Sequence, residues 1–188
     1  NLKTKWFYFS SMMGKSFETL KKIAKYAKEN SIKIAFNPSN YLAVKGTIYL
    51  KDILTKTNLL ILNKEEAEIL VGKNKPVKLI RELQDLGPDH VVITNGKKGS
   101  YTIDNNYLYH ILPKNVKVKD TTGAGDVFAA SYLSALIKKK KIEFRLKLAQ
   151  LNSESVIQHL GAKNKFIKKK NVYKRLSNKN YKVNKKKI

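Results

Sequence analysis

Asp120-Thr121-Thr122-Gly123-Ala124-Gly125-Asp126 leads directly into a run that is apolar nearly all round: Ala124, Val127, Phe128, Ala129, Ala130, Leu133, Ala135, Leu136 and Ile137. A helix over 123–137 with that pattern has no solvent face and must lie centrally. At its start, two glycines and an alanine let backbone N–H groups approach an oxyanion that larger side chains would hold off. The positive end of the helix dipole adds roughly 0.3–2 kcal/mol for an anion there. Asp126 stands at the mouth of this cradle, where a carboxylate repels phosphate unless it has chemistry to perform. Accepting a proton from an attacking hydroxyl is such chemistry. The same residues also read as a glycine pair that permits tight packing and an aspartate that caps the helix.

Outward from this stretch, short β-branched or aromatic runs alternate with amphipathic ones, the pattern of a largely parallel sheet connected by helices, so the class is α/β. Strands are expected at 6–10, 32–36, 59–62 and 91–94, with a hairpin at 101–103 and 107–111 around Asp104-Asn105-Asn106. Helices are expected at 17–28, 48–54, 64–70 and 77–86, the last stopped by Gly87-Pro88, and at 146–160, ended by Gly161.

Composition bounds the rest. A chain of 188 residues with 42% hydrophobic residues buries one good core. It has no Cys, so disulfides and thiolate zinc sites are excluded, and its three His lie scattered. No apolar run is long enough to span a membrane and no signal-peptide pattern opens the chain, so a soluble, cytoplasmic protein is expected. The net charge of +25 gathers in Lys138–Lys141 and after residue 162. It reads as a solvated surface and a lysine-rich tail over 163–188, ordered at best in part, more than as a nucleic-acid footprint.

Asp120-Thr-Thr-Gly-Ala-Gly-Asp126 as a whole resembles the second signature of the ribokinase-like (PfkB) carbohydrate kinases. Asn63-Lys64-Glu65-Glu66, after the strand at 59–62, looks like that family's Asn-x-x-Glu motif. Thr94-Asn95-Gly96-Lys97-Lys98-Gly99 resembles its nucleotide-contacting Thr-x-Gly-x-x-Gly turn, and Asn37-Pro38 a turn that many members carry. Residues 152–162 look like the last helix, whose start lies beside adenine. Taken singly, the same residues read as a helix cap, a surface turn and satisfied amides.

The resemblance implies a three-layer α/β/α fold over 1–162 and an ATP-dependent phosphotransferase acting on a sugar or nucleoside alcohol. It places the catalytic base on Asp126 and the anion hole on Gly123, Ala124 and Gly125. Nucleotide contacts fall on Asn63, Thr94, Gly96, Gly99, and Gln150 or Asn152. Water-mediated Mg²⁺ falls on Glu66, and a monovalent cation such as K⁺ on Asp120 and Thr122. Only the later portion of the family pattern is matched. The chain, which starts at Asn1 without Met, is therefore expected to be an N-terminally truncated piece without the first strands, the β-sheet lid, through which members dimerise, or the Gly-Gly signature for the acceptor. Alone it is expected to be poorly active. A non-catalytic nucleotide-binding fragment and a basic nucleic-acid binder are the alternatives.

Overall fold

A computed structural model describes residues 3–162 and 164–188; Asn1, Leu2 and Lys163, the first of the C-terminal lysines, lie outside the described residues. The chain divides into two compact units, one comprising residues up to Thr94 with Thr102–Asn105, the other Asn95–Tyr101 with Asn106–Ile188.

The first unit is built on four parallel strands, β1 (Trp6–Phe9), β2 (Lys33–Phe36), β3 (Leu59–Asn63) and β4 (His90–Thr94), paired in chain order. Leu59 to Leu62 and Val91 to Ile93 are all buried, as expected of parallel strands covered on both faces. Helix α1 (Lys15–Glu29) buries Phe17, Leu20, Ala24 and Ala27, spaced three and four apart so that one stripe meets the core. Two short helices follow β2: α2 (Ser39–Ala43), which the sequence reading lacked, and α3 (Gly46–Leu54). Helix α4 (Lys64–Val71) leaves β3 without a loop residue, and α5 (Pro76–Asp85) starts on proline, whose missing N–H costs nothing at that position. The last residues of β5 (Ser100–Ile103) belong to this unit, where the Thr102 hydroxyl donates to the Val91 carbonyl at 2.7 Å.

The second unit holds β6 (Tyr107–Ile111), α6 (Ala124–Ile137), α7 (Ile142–Val156), α8 (Val172–Lys179) and β7 (Val183–Lys187). As its composition requires, α6 is buried around most of its girth, from Val127, Phe128 and Ala129 to Tyr132 and Ala135. It packs against α7.

Two boundaries differ from the sequence reading. Helix α7 begins at Ile142, four residues early, and ends at Val156 rather than Leu160. Its end is set by tertiary hydrogen bonds. The Ile157 carbonyl, which a longer helix would offer to Gly161, instead accepts from Lys119 N at 2.8 Å and Asp120 N at 3.2 Å. Gly161 N in turn donates to Asp120 Oδ2 at 2.9 Å. The basic C-terminal segment, expected to be ordered at best in part, carries α8 and β7. Antiparallel pairing sets Tyr107 opposite Lys187 and Ile111 opposite Val183, and Lys185 Nζ sits 3.8 Å from the Tyr107 ring centroid. Lysines suit an edge strand because their charge discourages further strand addition.

Candidate functional site

The loop before α6 is held in place by the end of α7. Lys119 N and Asp120 N bond to Ile157, Ser153 Oγ donates to the Ala124 carbonyl at 3.2 Å, and Asp120 closes on itself and on residue 161. Asp120 Oδ1 accepts from Thr122 N at 2.9 Å. With the Thr122 hydroxyl and the two amides donating to it, the Asp120 carboxyl is held below the usual aspartate range. None of Ser153, Ile157 and Gly161 was singled out from sequence for this role.

Where the loop meets α6, the two glycines do different work. Gly123 has φ +77°, and a Cβ built on it would lie 2.6 Å from the Cβ of Ala162. Backbone strain and close approach both require glycine there. A Cβ on Gly125 would meet nothing within 4 Å. The close-packing reading thus holds for Gly123, while Gly125 faces open space.

The backbone N–H groups of this turn are accounted for as follows. Ala124 N donates to the Thr121 carbonyl at 3.1 Å and Val127 N to the Gly123 carbonyl at 2.9 Å. Those of Gly123, Gly125 and Asp126 have no acceptor among the described residues. An N-terminal helix turn with free N–H groups and a glycine open to solvent has the donors that an anion would need. Asp126 is exposed beside it, in the first turn of α6. Gly123 and Asp126 also line a cleft of about 690 Å³ walled by Val127, Phe144, Leu148 and Phe166. That volume is in the range that takes a small molecule.

The other predicted residues are distributed over both units. In the first, Asn63 and Glu66 form a reciprocal capping box at the start of α4. Asn63 Oδ1 accepts from Glu66 N, and Glu66 Oε2 accepts from Asn63 N, each at 2.8 Å. The cap reading of this pair is therefore realised. Glu66 is buried, and that burial pushes its carboxyl above the usual range. Thr94 ends β4, its hydroxyl 3.5 Å from the Leu62 carbonyl. In the second unit, Asn95 N donates to the Gly99 carbonyl at 2.7 Å, closing the turn that holds Gly96. Gly99 cannot carry a side chain, because its Cβ would fall 1.8 Å from the Ile111 carbonyl oxygen. Gly96 is open.

The two candidate amides of α7 lie on different sides of the helix. Asn152 lines the cleft, donates to Ser131 Oγ at 2.9 Å and accepts from Ile167 N at 3.2 Å. Gln150 is buried and donates to Glu154 Oε1 at 3.1 Å. Glu154 went unremarked in the sequence, yet it is only 1% exposed and gathers donors from three parts of the chain. Among the described residues, no cluster of three or more His, Asp or Glu forms a metal centre, and no helix is long and apolar enough to cross a membrane.

Comparison with known proteins finds one family. The family model described as pfkB family carbohydrate kinase matches residues 3–170. A ribokinase of Lactococcus lactis subsp. lactis is 31% identical over 145 residues, covering 77% of this chain and 45% of that protein. Among solved structures, a nucleoside kinase of Methanocaldococcus jannaschii, described as an archaeal member of the ribokinase family, superposes with a TM-score of 0.78 at 26% identity. It covers 95% of this chain and 57% of that one. The ribokinase of Arabidopsis thaliana, solved with ribose and ATP, gives 0.75 at 22% identity, over 92% and 55%. The chain spans about half the length of the curated relatives it matches.

Proposed function

Since this chain belongs to the pfkB family of carbohydrate kinases, we propose that the protein moves the γ-phosphate of ATP to an alcohol of a sugar or nucleoside. The free N–H groups at the start of α6, with Gly125 open and Asp126 beside them, are the observation that carries this reading. In-line transfer of a phosphoryl group asks the protein for positioning and for donors aimed at developing negative charge. Gly123, Ala124 and Gly125 form the turn whose free N–H groups, at Gly123 and Gly125, supply those donors while that of Ala124 bonds within it, and Asp126 takes the proton of the attacking hydroxyl.

On the nucleotide side, Thr94 and the turn of Gly96 and Gly99 receive the nucleotide, and Asn63 and Gln150 or Asn152 contribute polar contacts. Mg²⁺, when bound, would neutralise charge on the phosphates. It keeps several waters and needs only one or two carboxylates nearby, a demand Glu66 fits while its Oε2 caps α4. Asp120 and Thr122 would offer a carboxylate and a hydroxyl to a monovalent cation such as K⁺. The acceptor pocket is assigned to the part of the relatives that this chain does not span, so these 188 residues alone should bind nucleotide yet transfer phosphate poorly.

The test is a coupled kinase assay on the intact protein with ribose, fructose-type sugars and nucleosides. Asp126→Asn should lower kcat at least about 100-fold, the usual contribution of a general base. A near-normal rate would remove Asp126 from the mechanism. Nucleotide binding without transfer to any acceptor would leave a non-catalytic binder.

A further inference from the structure

The carboxylate of Glu154 is buried and saturated. Oε1 accepts from Lys114 N at 2.7 Å and from Gln150 Nε2 at 3.1 Å. Oε2 accepts from Lys179 Nζ at 3.0 Å and from the Tyr181 hydroxyl. Four donors fill the roughly four lone-pair sites that a carboxylate has, so Glu154 has nothing left for a ligand and acts only through its partners. Two of those partners belong to the basic C-terminal segment. The Tyr181 hydroxyl stays a donor because burial and the Glu154 carboxylate both push its ionisation well above the usual range. Lys114 Nζ also lies 5.9 Å from the Tyr181 ring centroid.

This arrangement decides which way the Gln150 amide faces. A carboxylate offers acceptors only, so the NH₂ group of Gln150 must turn to Glu154, and its carbonyl oxygen is the end left over. That oxygen has no hydrogen-bond partner among the described residues, nor is it among their fully enclosed unpaired atoms, and the residue as a whole is 8% exposed. The same turn of α7 bonds to the phosphate cradle through Ser153 and Ala124. A carbonyl left without an internal donor can accept from the exocyclic amino group of adenine, and it opposes the carbonyl that guanine carries at the corresponding position.

We infer that Glu154, clamped by Lys179 and Tyr181, is a positioning residue that fixes the Gln150 amide to accept from adenine, making the C-terminal segment part of base selection. This rests on the nucleotide reading proposed above. The measurement is the affinity of the protein for ATP, GTP and inorganic tripolyphosphate, which occupies the cradle but has no base. The unaltered protein should prefer ATP to GTP. Glu154→Gln, whose amide lets Gln150 flip, and Gln150→Ala should each cut that preference about tenfold, the size of one base-edge contact. Both should leave tripolyphosphate affinity unchanged. Tyr181→Phe, which keeps the ring and removes one donor, should reduce the preference less and serves if Glu154→Gln does not fold.

An unaltered ATP preference in these variants would overturn the inference, as would equal binding of ATP and GTP by the unaltered protein; in either case the cradle reading survives. Parallel loss of ATP and tripolyphosphate affinity would reduce Glu154 to general support and also overturn it. An unaltered protein that binds neither ATP nor tripolyphosphate would instead remove the nucleotide reading itself.

Discussion

Alanine at Gly123 and at Gly125, one at a time, should separate stability from anion binding. At Gly123 the positive φ costs an L-residue about 1–2 kcal/mol. The new methyl would also sit 2.6 Å from the Ala162 Cβ and 3.0 Å from its Cα, an overpacking of about 1–3 kcal/mol. Together these come to about 2–5 kcal/mol. Ala162 lies in a turn rather than a helix or strand and can yield in part, which favours the lower half of that range. At Gly125 the backbone is helical and the space is open, so alanine should gain about 0.5–1 kcal/mol. The same methyl would occupy the mouth of the cradle, however, and lower its affinity for tripolyphosphate. Urea unfolding and thermal melts read the first effect, at about 2–4 °C per kcal/mol for a chain of this size. Calorimetric titration reads the second. The reasoning is refuted if Gly123→Ala unfolds at the same urea concentration as the unaltered protein, or if Gly125→Ala binds tripolyphosphate equally well.

Three further outcomes follow from local geometry. Glu66 has its folded pKa raised, so its favourable contribution is complete below the unfolded value, about pH 4.5, and is lost as pH rises through the folded one. Glu66→Gln, which can keep the capping box, should therefore match the unaltered protein near pH 4 and exceed its stability at pH 7, as read by urea unfolding at both. Asp120 has the opposite sign. Its contribution is present above the ordinary value of 3.8 and fades as pH falls through the lowered one. Asp120→Asn should speed hydrogen exchange at the Gly161 amide at pH 6, and the gap to the unaltered protein should close in strong acid. Lys185→Ala removes an exposed cation set over Tyr107 and Tyr109, and should cost about 0.5–1 kcal/mol. Exchange protection of β6 amides should fall with it.

The parts of the fold that sequence made legible are those whose cause is local. Leu59 to Leu62 and Val91 to Ile93 are apolar on both faces because both faces are covered, and the run after Gly123 could only be a buried helix. The division of labour within the glycine pair was not legible, since it depends on Ala162 lying against one glycine and not the other. Glu154 gave no signal at all. In the polar stretch Asn152-Ser-Glu-Ser155 an acidic residue reads as solvated, and its burial is set by Lys179 and Tyr181, 25 and 27 positions away in sequence. Strand β7 is hidden for the same reason: Val183-Asn-Lys-Lys-Lys has no alternation of its own and is made a strand by β6 and its tyrosines.

These unread features share a location. The segment that composition assigns to solvated charge supplies two of the four donors that hold Glu154, and Glu154 in turn holds Lys114, in the approach to the cradle, and Gln150, one turn along α7. A charge census counts lysines without asking which of them a buried carboxylate has already claimed. In this protein that question separates a solvated tail from a segment bonded into the fold through Glu154.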